Sequence, residues 1–199
     1  MSRSGNLFVI SGPSGVGKGT ILREVLEQID DGWYSISVTT RDPRFNETEG
    51  EDYYFVDDAR FDELVRTDGL LEWAPVHTKR YGTPRAPIQT HIDNGEQVLL
   101  DIDVAGALQI KESMPECVTV FIEPPSMEIL EARLRGRGTD SEEQIGHRLS
   151  EAVNELSLKS RYNYTVVNDE LEHAVTQVVD IVDTHASDKE NEDHVCSAT

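Results

Sequence analysis

The stretch GPSGVGKGT, residues 12–20, follows the apolar run LFVIS at 7–11 and leads into ILREVLEQI at 21–29. The first run reads as a buried strand, and Ile21, Leu22, Val25 and Ile29 recur at helical spacing, so the three pieces form strand, loop and helix. The loop matches G-x-x-x-x-G-K-[ST] except at its end, where Gly19 replaces the hydroxyl residue and Thr20 is the nearest hydroxyl. Such a loop needs glycine because its backbone must curl with N–H groups facing inward, making a nest for phosphate at a helix start. Lys18 then supplies a point charge to the outer phosphates. Gly12, Pro13, Ser14, Gly15, Val16, Gly17, Lys18, Gly19 and Thr20 are therefore the candidate binding residues for a nucleoside triphosphate. The loop by itself names no acceptor.

Outward from this loop, apolar runs alternate with amphipathic segments. Further strands are predicted at YSISV (34–38), QVLLDI (97–102), VTVFI (118–122) and YTVV (164–167). Helices are predicted over 84–94 with Gly95 as C-terminal cap, 104–113, 126–135 and 141–161, with a last one using Leu171, Val175, Val178 and Val182. The helix at 141 opens with Ser141 and Gln144 in capping-box spacing, and Ile145, Leu149, Val153 and Leu156 are expected to be its buried stripe. Continuous apolar strands separated by helices imply a parallel sheet covered on both faces, an α/β fold. Between about 40 and 81 the pattern changes: DYYFV and LLEWAPV read as strands of a small antiparallel flap, with a helix in ARFDELVRT between them. Residues 188–199 lose apolar periodicity and are expected to form a disordered acidic tail.

Composition excludes several classes of function. The 199 residues carry 38 acidic and 18 basic side chains, a formal charge of −20, and only five of the bases are lysine. A chain this acidic repels nucleic acid and anionic lipid. Lysine depletion with arginine retained points to a halophilic source, where salt screens self-repulsion. The opening MSRSGNLFVIS has too short an apolar run for a signal peptide or a spanning helix, and a cytoplasmic protein is expected. Cys117 and Cys196 are read as free thiols, and the six scattered histidines contain no H-x-x-x-H pair for zinc.

Against this acidity, six of the thirteen arginines fall in or near two windows. In SISVTTRDPR, Arg41 and Arg44 sit three apart on a loop interrupted by proline, which suits a clamp on phosphate, and Tyr53 follows as a phenolic donor. In RLRGRGT, Arg133, Arg135 and Arg137 precede a helix containing Arg148. Local positive sites of this kind suit a polyanionic transition state.

GPSGVGKGT, SVTTRDPR, GEDYYFV, LLEWA, RYGTP, LLDIDVAGA, RLRGRGT and VVND stand in the order and spacing found in guanylate kinases, and over about 7–181 the chain resembles that family. The resemblance implies a P-loop nucleoside monophosphate kinase fold in one domain, 1–187. It divides into a core at 1–39 and 82–187, a GMP-binding flap at about 40–81 and a mobile lid at about 133–148. It implies that Arg41, Arg44, Tyr53 and Tyr81 hold the acceptor phosphate, and that Ser37, Glu72 and Thr83 read guanine. A carboxylate at Glu72 can accept from both N1–H and the 2-amino group of guanine, donors that adenine lacks on that edge. Asp101 and Asp103 are implied near the nucleotide and Mg²⁺, with Asp103 also counted in the GMP site. Arg133, Asn168 and Asp169 are implied at ATP. Lys18, Arg44, Arg137 and Arg148 are implied as the catalytic charges.

The activity so implied is ATP-dependent phosphorylation of GMP, with dGMP a further acceptor, by a monomer or homodimer. A sugar-phosphate kinase on the same core and a non-catalytic interaction module are the alternatives. The departure from the family pattern is HTKRYGTP, where Lys79 and Arg80 precede Tyr81.

Overall fold

The computed structural model describes residues 5–76, 78–136, 138 and 140–196, with side chains described up to residue 186. Five parallel strands form the core sheet: β1 (Asn6–Ser11), β2 (Gly32–Tyr34), β7 (Gln97–Asp101), β8 (Val118–Glu123) and β9 (Tyr164–Val167), in the order β2-β7-β1-β8-β9. β1 is central, and every one of its residues is buried. Period-two alternation sends Phe8 and Ile10 to one face and Leu7 and Val9 to the other.

On the first face lie α1 (Lys18–Leu26) and α7 (Leu171–Cys196), which contribute Leu22, Val25, Val175, Val178 and Val182. On the second lie α3 (Arg85–Asp93) and α4 (Val104–Ser113), which contribute Ile88, Ala107 and Ile110. Each fully buried Leu, Ile or Val contributes roughly 1.5–3 kcal/mol. The two-faced α/β sheet expected from the continuous apolar strands is what forms. Beside it, α5 (Met127–Gly136) and α6 (Glu142–Ser157) pack on one another through Leu130, Leu134, Ile145 and Ala152, forming a separate small core.

A second sheet, ordered β4-β3-β6-β5, holds β3 (Val38–Thr39), β4 (Tyr54–Phe55), β5 (Leu70–Val76) and β6 (Lys79–Pro84). α2 (Asp58–Arg66) covers it by inserting Phe61 between Val38 and Leu70, and Asp57 caps that helix by accepting from Arg60 N at 2.7 Å. A cap of this type is worth about 1 kcal/mol.

Several boundaries differ from the sequence expectation, each for a physical reason. YSISV does not form one strand. Ser35 N donates to Leu99 O at 2.9 Å in the core sheet, while Ser37 O accepts from Tyr54 N at 3.0 Å in the other, so the chain crosses between sheets there. The flap sheet is mixed rather than antiparallel, because β3 pairs with β4 in parallel. β6 was not expected, since Gly82 and Pro84 disfavour a strand. Gly82 belongs there because an added Cβ would lie 2.9 Å from Leu70 Cδ1 and 3.0 Å from Glu72 O.

In α6 the expected stripe is rotated: Ile145 and Ala152 are buried, Leu149 is half-buried, and Val153 is 57% exposed. The capping box of Ser141 and Gln144 forms in both directions. α6 ends at Ser157 and a single 3₁₀ turn follows at Lys159–Arg161. α7 continues to Cys196, through the segment read as a disordered tail; residues 187–196 contain no Gly or Pro, and Lys and Glu carry good helix propensity. No helix among the described residues is long and apolar enough to cross a membrane.

Candidate active site

The loop after β1 is held in a shape that only glycine permits at three positions. Gly12, Gly15 and Gly17 have φ of 144°, 91° and 104°. An added Cβ at Gly12 would lie 2.1 Å from Ile122 O, and one at Gly15 would lie 2.7 Å from Leu134 Cδ2. Gly19 is different: it has no positive φ, and the nearest atom to an added Cβ is Asp101 Oδ2 at 3.9 Å. The loop is braced from behind. Asn168 Nδ2 donates to Val16 O at 2.7 Å, while Arg133 donates to Val16 O at 3.2 Å and to Asn168 O at 2.9 Å. With that carbonyl pulled outward, the loop keeps its curl at the start of α1.

The loop opens on a cleft of about 540 Å³ between the carboxyl ends of β1 and β7, where open α/β sheets place their ligands. Lys18 Nζ donates to Gly12 O at 2.8 Å and stands 3.9 Å from Asp101 Oδ1. Burial pushes the Asp101 carboxyl above its ordinary range, with Lys18 opposing the shift. Asp103 caps α4, accepting from Gly106 N at 2.8 Å. Arg148 of α6 donates to Ser14 Oγ at 2.7 Å and pairs with Asp140 at 3.4 Å, so the helix after the lid segment reaches the loop directly.

Across the cleft, Thr83 of β6 donates to Glu72 of β5 at 2.7 Å, and both residues are buried. Burial raises the Glu72 carboxyl, opposed by the Thr83 bond. The other oxygen, Oε2, faces the start of α4, only 3.3 Å from where a Cβ on Gly106 would stand. Nearby, Arg41 Nε donates to Tyr81 Oη at 3.1 Å, the Arg41 guanidinium lies 5.3 Å from the Tyr53 ring centroid, and the Tyr53 and Tyr81 rings meet edge to face at 5.9 Å. Ser37 is half-buried where the chain passes between the sheets.

The structure thus gathers the loop residues, Lys18, Asp101, Asp103 and Arg148 at one cleft, and Arg41, Arg44, Tyr53 and Tyr81 around the flap. Asp169 accepts from Glu170 N at 2.7 Å at the start of α7, and none of its contacts reaches the loop. Arg137 lies outside the described residues. Lys79 stays beside the first arginine, donating to Thr40 O at 3.2 Å and lining a pocket with Arg41, whereas Arg80 binds Asp58 at 2.7 Å and Asp62 at 2.5 Å while stacking over Phe61 at 4.5 Å.

Two acidic residues were missed. Glu47 joins both flap arginines, and its only sequence signal is a position three residues after Arg44. Glu155 lines the loop cleft with its carboxyl raised by burial. It is seven residues after Arg148 on the same face of α6.

Mg²⁺ keeps several waters and takes one or two carboxylates besides phosphate oxygens, so it needs no protein cage. Among the described residues no group of three or more His, Cys, Asp or Glu is placed to hold a metal. Asp101, half-buried beside Lys18 and facing Gly19, fits the smaller requirement. Cys117 is a buried free thiol remote from this chemistry.

Residues 4–185 match the family model described as guanylate kinase. The chain is 49% identical over 182 residues to a guanylate kinase of Syntrophomonas wolfei, covering 92% of this chain and 93% of that one. It is 52% identical over 172 residues to one from Gloeobacter violaceus, covering 86% and 84%. A crystal structure of guanylate kinase from Anaplasma phagocytophilum superposes with a TM-score of 0.71 at 34% identity, covering 94% of this chain and 88% of that chain.

Proposed function

The chain belongs to the guanylate kinase family, and from that premise we propose that the loop cleft takes ATP while the flap presents GMP to it. The protein is an enzyme that phosphorylates GMP from ATP, yielding GDP and ADP. The other readings open from sequence, a sugar-phosphate kinase or a non-catalytic module, give way to it.

The single observation that carries the acceptor assignment is the buried Thr83–Glu72 pair. Thr83 fixes one carboxylate oxygen and leaves the other directed at the space in front of α4. A guanine edge offering two N–H donors completes that carboxylate's bonding, whereas adenine leaves it with the Thr83 donor and nothing from the base. Ser37 lies at the same crossing between sheets, and Asp103 stands at the head of α4.

The acceptor phosphate oxygen is already ionised near neutral pH, so the residues have no proton to remove. Their work is alignment and charge stabilisation. Gly12 to Thr20 bind the donor phosphates through backbone N–H groups, and Lys18 shifts from Gly12 O to those phosphates. Arg44 meets the acceptor phosphate and Arg148 the transferred group, a role the family resemblance also gives to Arg137. Arg133 and Asn168 support ATP by holding the loop carbonyl of Val16. Asp169 is retained at the edge of the ATP site. Mg²⁺, held through Asp101 with Asp103 nearby, supplies further neutralisation of phosphate charge when bound. The 40–81 flap and the 133–148 lid close over the substrates and exclude water. We also assign the protein to a saline cytoplasm, on the strength of its charge of −20 with five lysines.

ADP release measured with GMP, AMP, UMP and CMP in turn tests this reading. GMP should be the preferred acceptor by about a hundredfold or more, as expected of a site built on hydrogen bonds to the base. Turnover of AMP without GMP would overturn it.

A further inference from the structure

Arg41 and Arg44 invite a symmetric reading, two equal arms of a phosphate clamp. The structure makes them unequal. Arg41 Nη1 donates to Asp42 O at 2.8 Å and to Glu47 Oε2 at 2.8 Å, Nη2 donates to Glu47 Oε1 at 2.9 Å, and Nε donates to Tyr81 at 3.1 Å. A guanidinium carries five N–H groups, so Arg41 keeps a single one, on Nη2, for any other partner. Its side chain is 16% exposed. Arg44 is the reverse, with 72% of its side chain exposed and Nη1 3.9 Å from Glu47 Oε1. The Arg44 backbone N–H nevertheless donates to Glu47 Oε2 at 2.8 Å. One carboxylate, itself 10% exposed, therefore fixes the head group of the first arginine and the main chain of the second.

We propose that Glu47 is the positioning residue of the acceptor-phosphate site, turning two adjacent arginines into one fixed point contact, Arg41, and one free bidentate arm, Arg44. The physical need is plain. Two guanidiniums brought together without a carboxylate repel one another and scatter among rotamers. With Glu47 between them the site keeps one net positive charge and a set direction for an incoming phosphate. The loop from Thr40 to Glu47 is thereby ordered before substrate arrives, which lowers the entropy lost on binding. Short charge-assisted bonds are the strong kind, and the depressed Glu47 carboxyl and raised Arg41 guanidinium are consistent with them.

The inference rests on reading Arg41 and Arg44 as the acceptor-phosphate site, and the two fail separately. Glu47→Gln keeps the volume and removes the charge, and Glu47→Asp keeps the charge at shorter reach. For Glu47→Gln, KM for GMP should rise roughly tenfold to a hundredfold, as for loss of a charge-assisted partner, while KM for ATP stays within about twofold. Glu47→Asp should fall between Gln and the parent.

Inorganic phosphate and guanosine, each as a competitive inhibitor against GMP, locate the effect. The inhibition constant for phosphate should weaken in step with KM, and that for guanosine should not change. An unchanged KM for GMP in Glu47→Gln overturns the proposal, and so does parallel weakening of guanosine and phosphate, which would mark general damage to the flap. If Glu47→Gln fails to fold, Glu47→Asp carries the same comparison. If the parent enzyme is not inhibited by phosphate against GMP, the acceptor-site reading itself falls.

Discussion

At the scale of single residues, the site depends on charges held where burial disfavours them. Burial raises the Glu72 carboxyl in the folded protein, so the native state binds this proton more tightly than the unfolded chain does. Ionising Glu72 therefore costs stability: the cost is absent below the ordinary glutamate range, grows as pH rises through the raised value, and is complete above it. Glu72→Gln, which keeps an oxygen for Thr83, should raise the melting temperature at pH 7 and leave it unchanged near pH 4. The same variant should lose its preference for GMP over AMP. Thermal melts at both pH values check the first part, and a lower melting temperature at pH 7 would contradict it. Lys18→Ala and Arg44→Ala remove preorganised positive charge and should each lower kcat/KM by on the order of a hundredfold. Steady-state kinetics test this, and near-parent values for both would remove these residues from the mechanism.

At the scale of elements, the loop and the flap are built on different rules. The loop depends on glycine where the backbone demands it and not elsewhere. Gly12→Ala places a Cβ 2.1 Å from Ile122 O at a φ of 144° and should destabilise the fold by roughly 3 kcal/mol from strain and overlap together. Gly19→Ser meets nothing closer than 3.9 Å and should leave the denaturation midpoint unchanged. Urea unfolding of the two variants separates them, and equal loss would show that the Gly19 position is also constrained.

In the flap, Arg80 ties α2 to β6 through Asp58, Asp62 and the Phe61 ring. Arg80→Ala should therefore speed amide exchange in α2 by about tenfold, with exchange in the core sheet unaffected. Within HTKRYGTP, the departure from the family pattern at Arg80 is thus a brace for the flap.

At the scale of the whole molecule, a charge of −20 on a single domain opposes compaction unless salt screens it. The melting temperature should climb by roughly ten degrees or more between low and molar KCl, and a flat profile would remove the halophilic assignment. Much of the architecture was legible beforehand because it is local: β1, the glycine loop and α1 are consecutive, and the phosphate nest is a property of their backbone.

Less was legible where one pattern admits two outcomes. YSISV has the alternation of one strand but serves two sheets, and in α6 the apolar spacing counts Val153, which is 57% exposed, with the buried Ile145, while Glu155 near Lys18 carries no periodic signal. Local pattern determined the parallel α/β sheet and the glycine loop, since strand period, helix period and glycine φ are set within a few neighbouring residues, while the acceptor residues came from the family resemblance. Only the tertiary structure decided which charge meets which: that Arg41 is committed to Glu47 and Arg44 is not, that Arg80 serves α2, and that Arg148 reaches Ser14. Those pairings depend on loop conformation, as for Arg41 and Glu47, or on elements brought together from afar, as for Arg148 and Ser14, and no local periodicity encodes them.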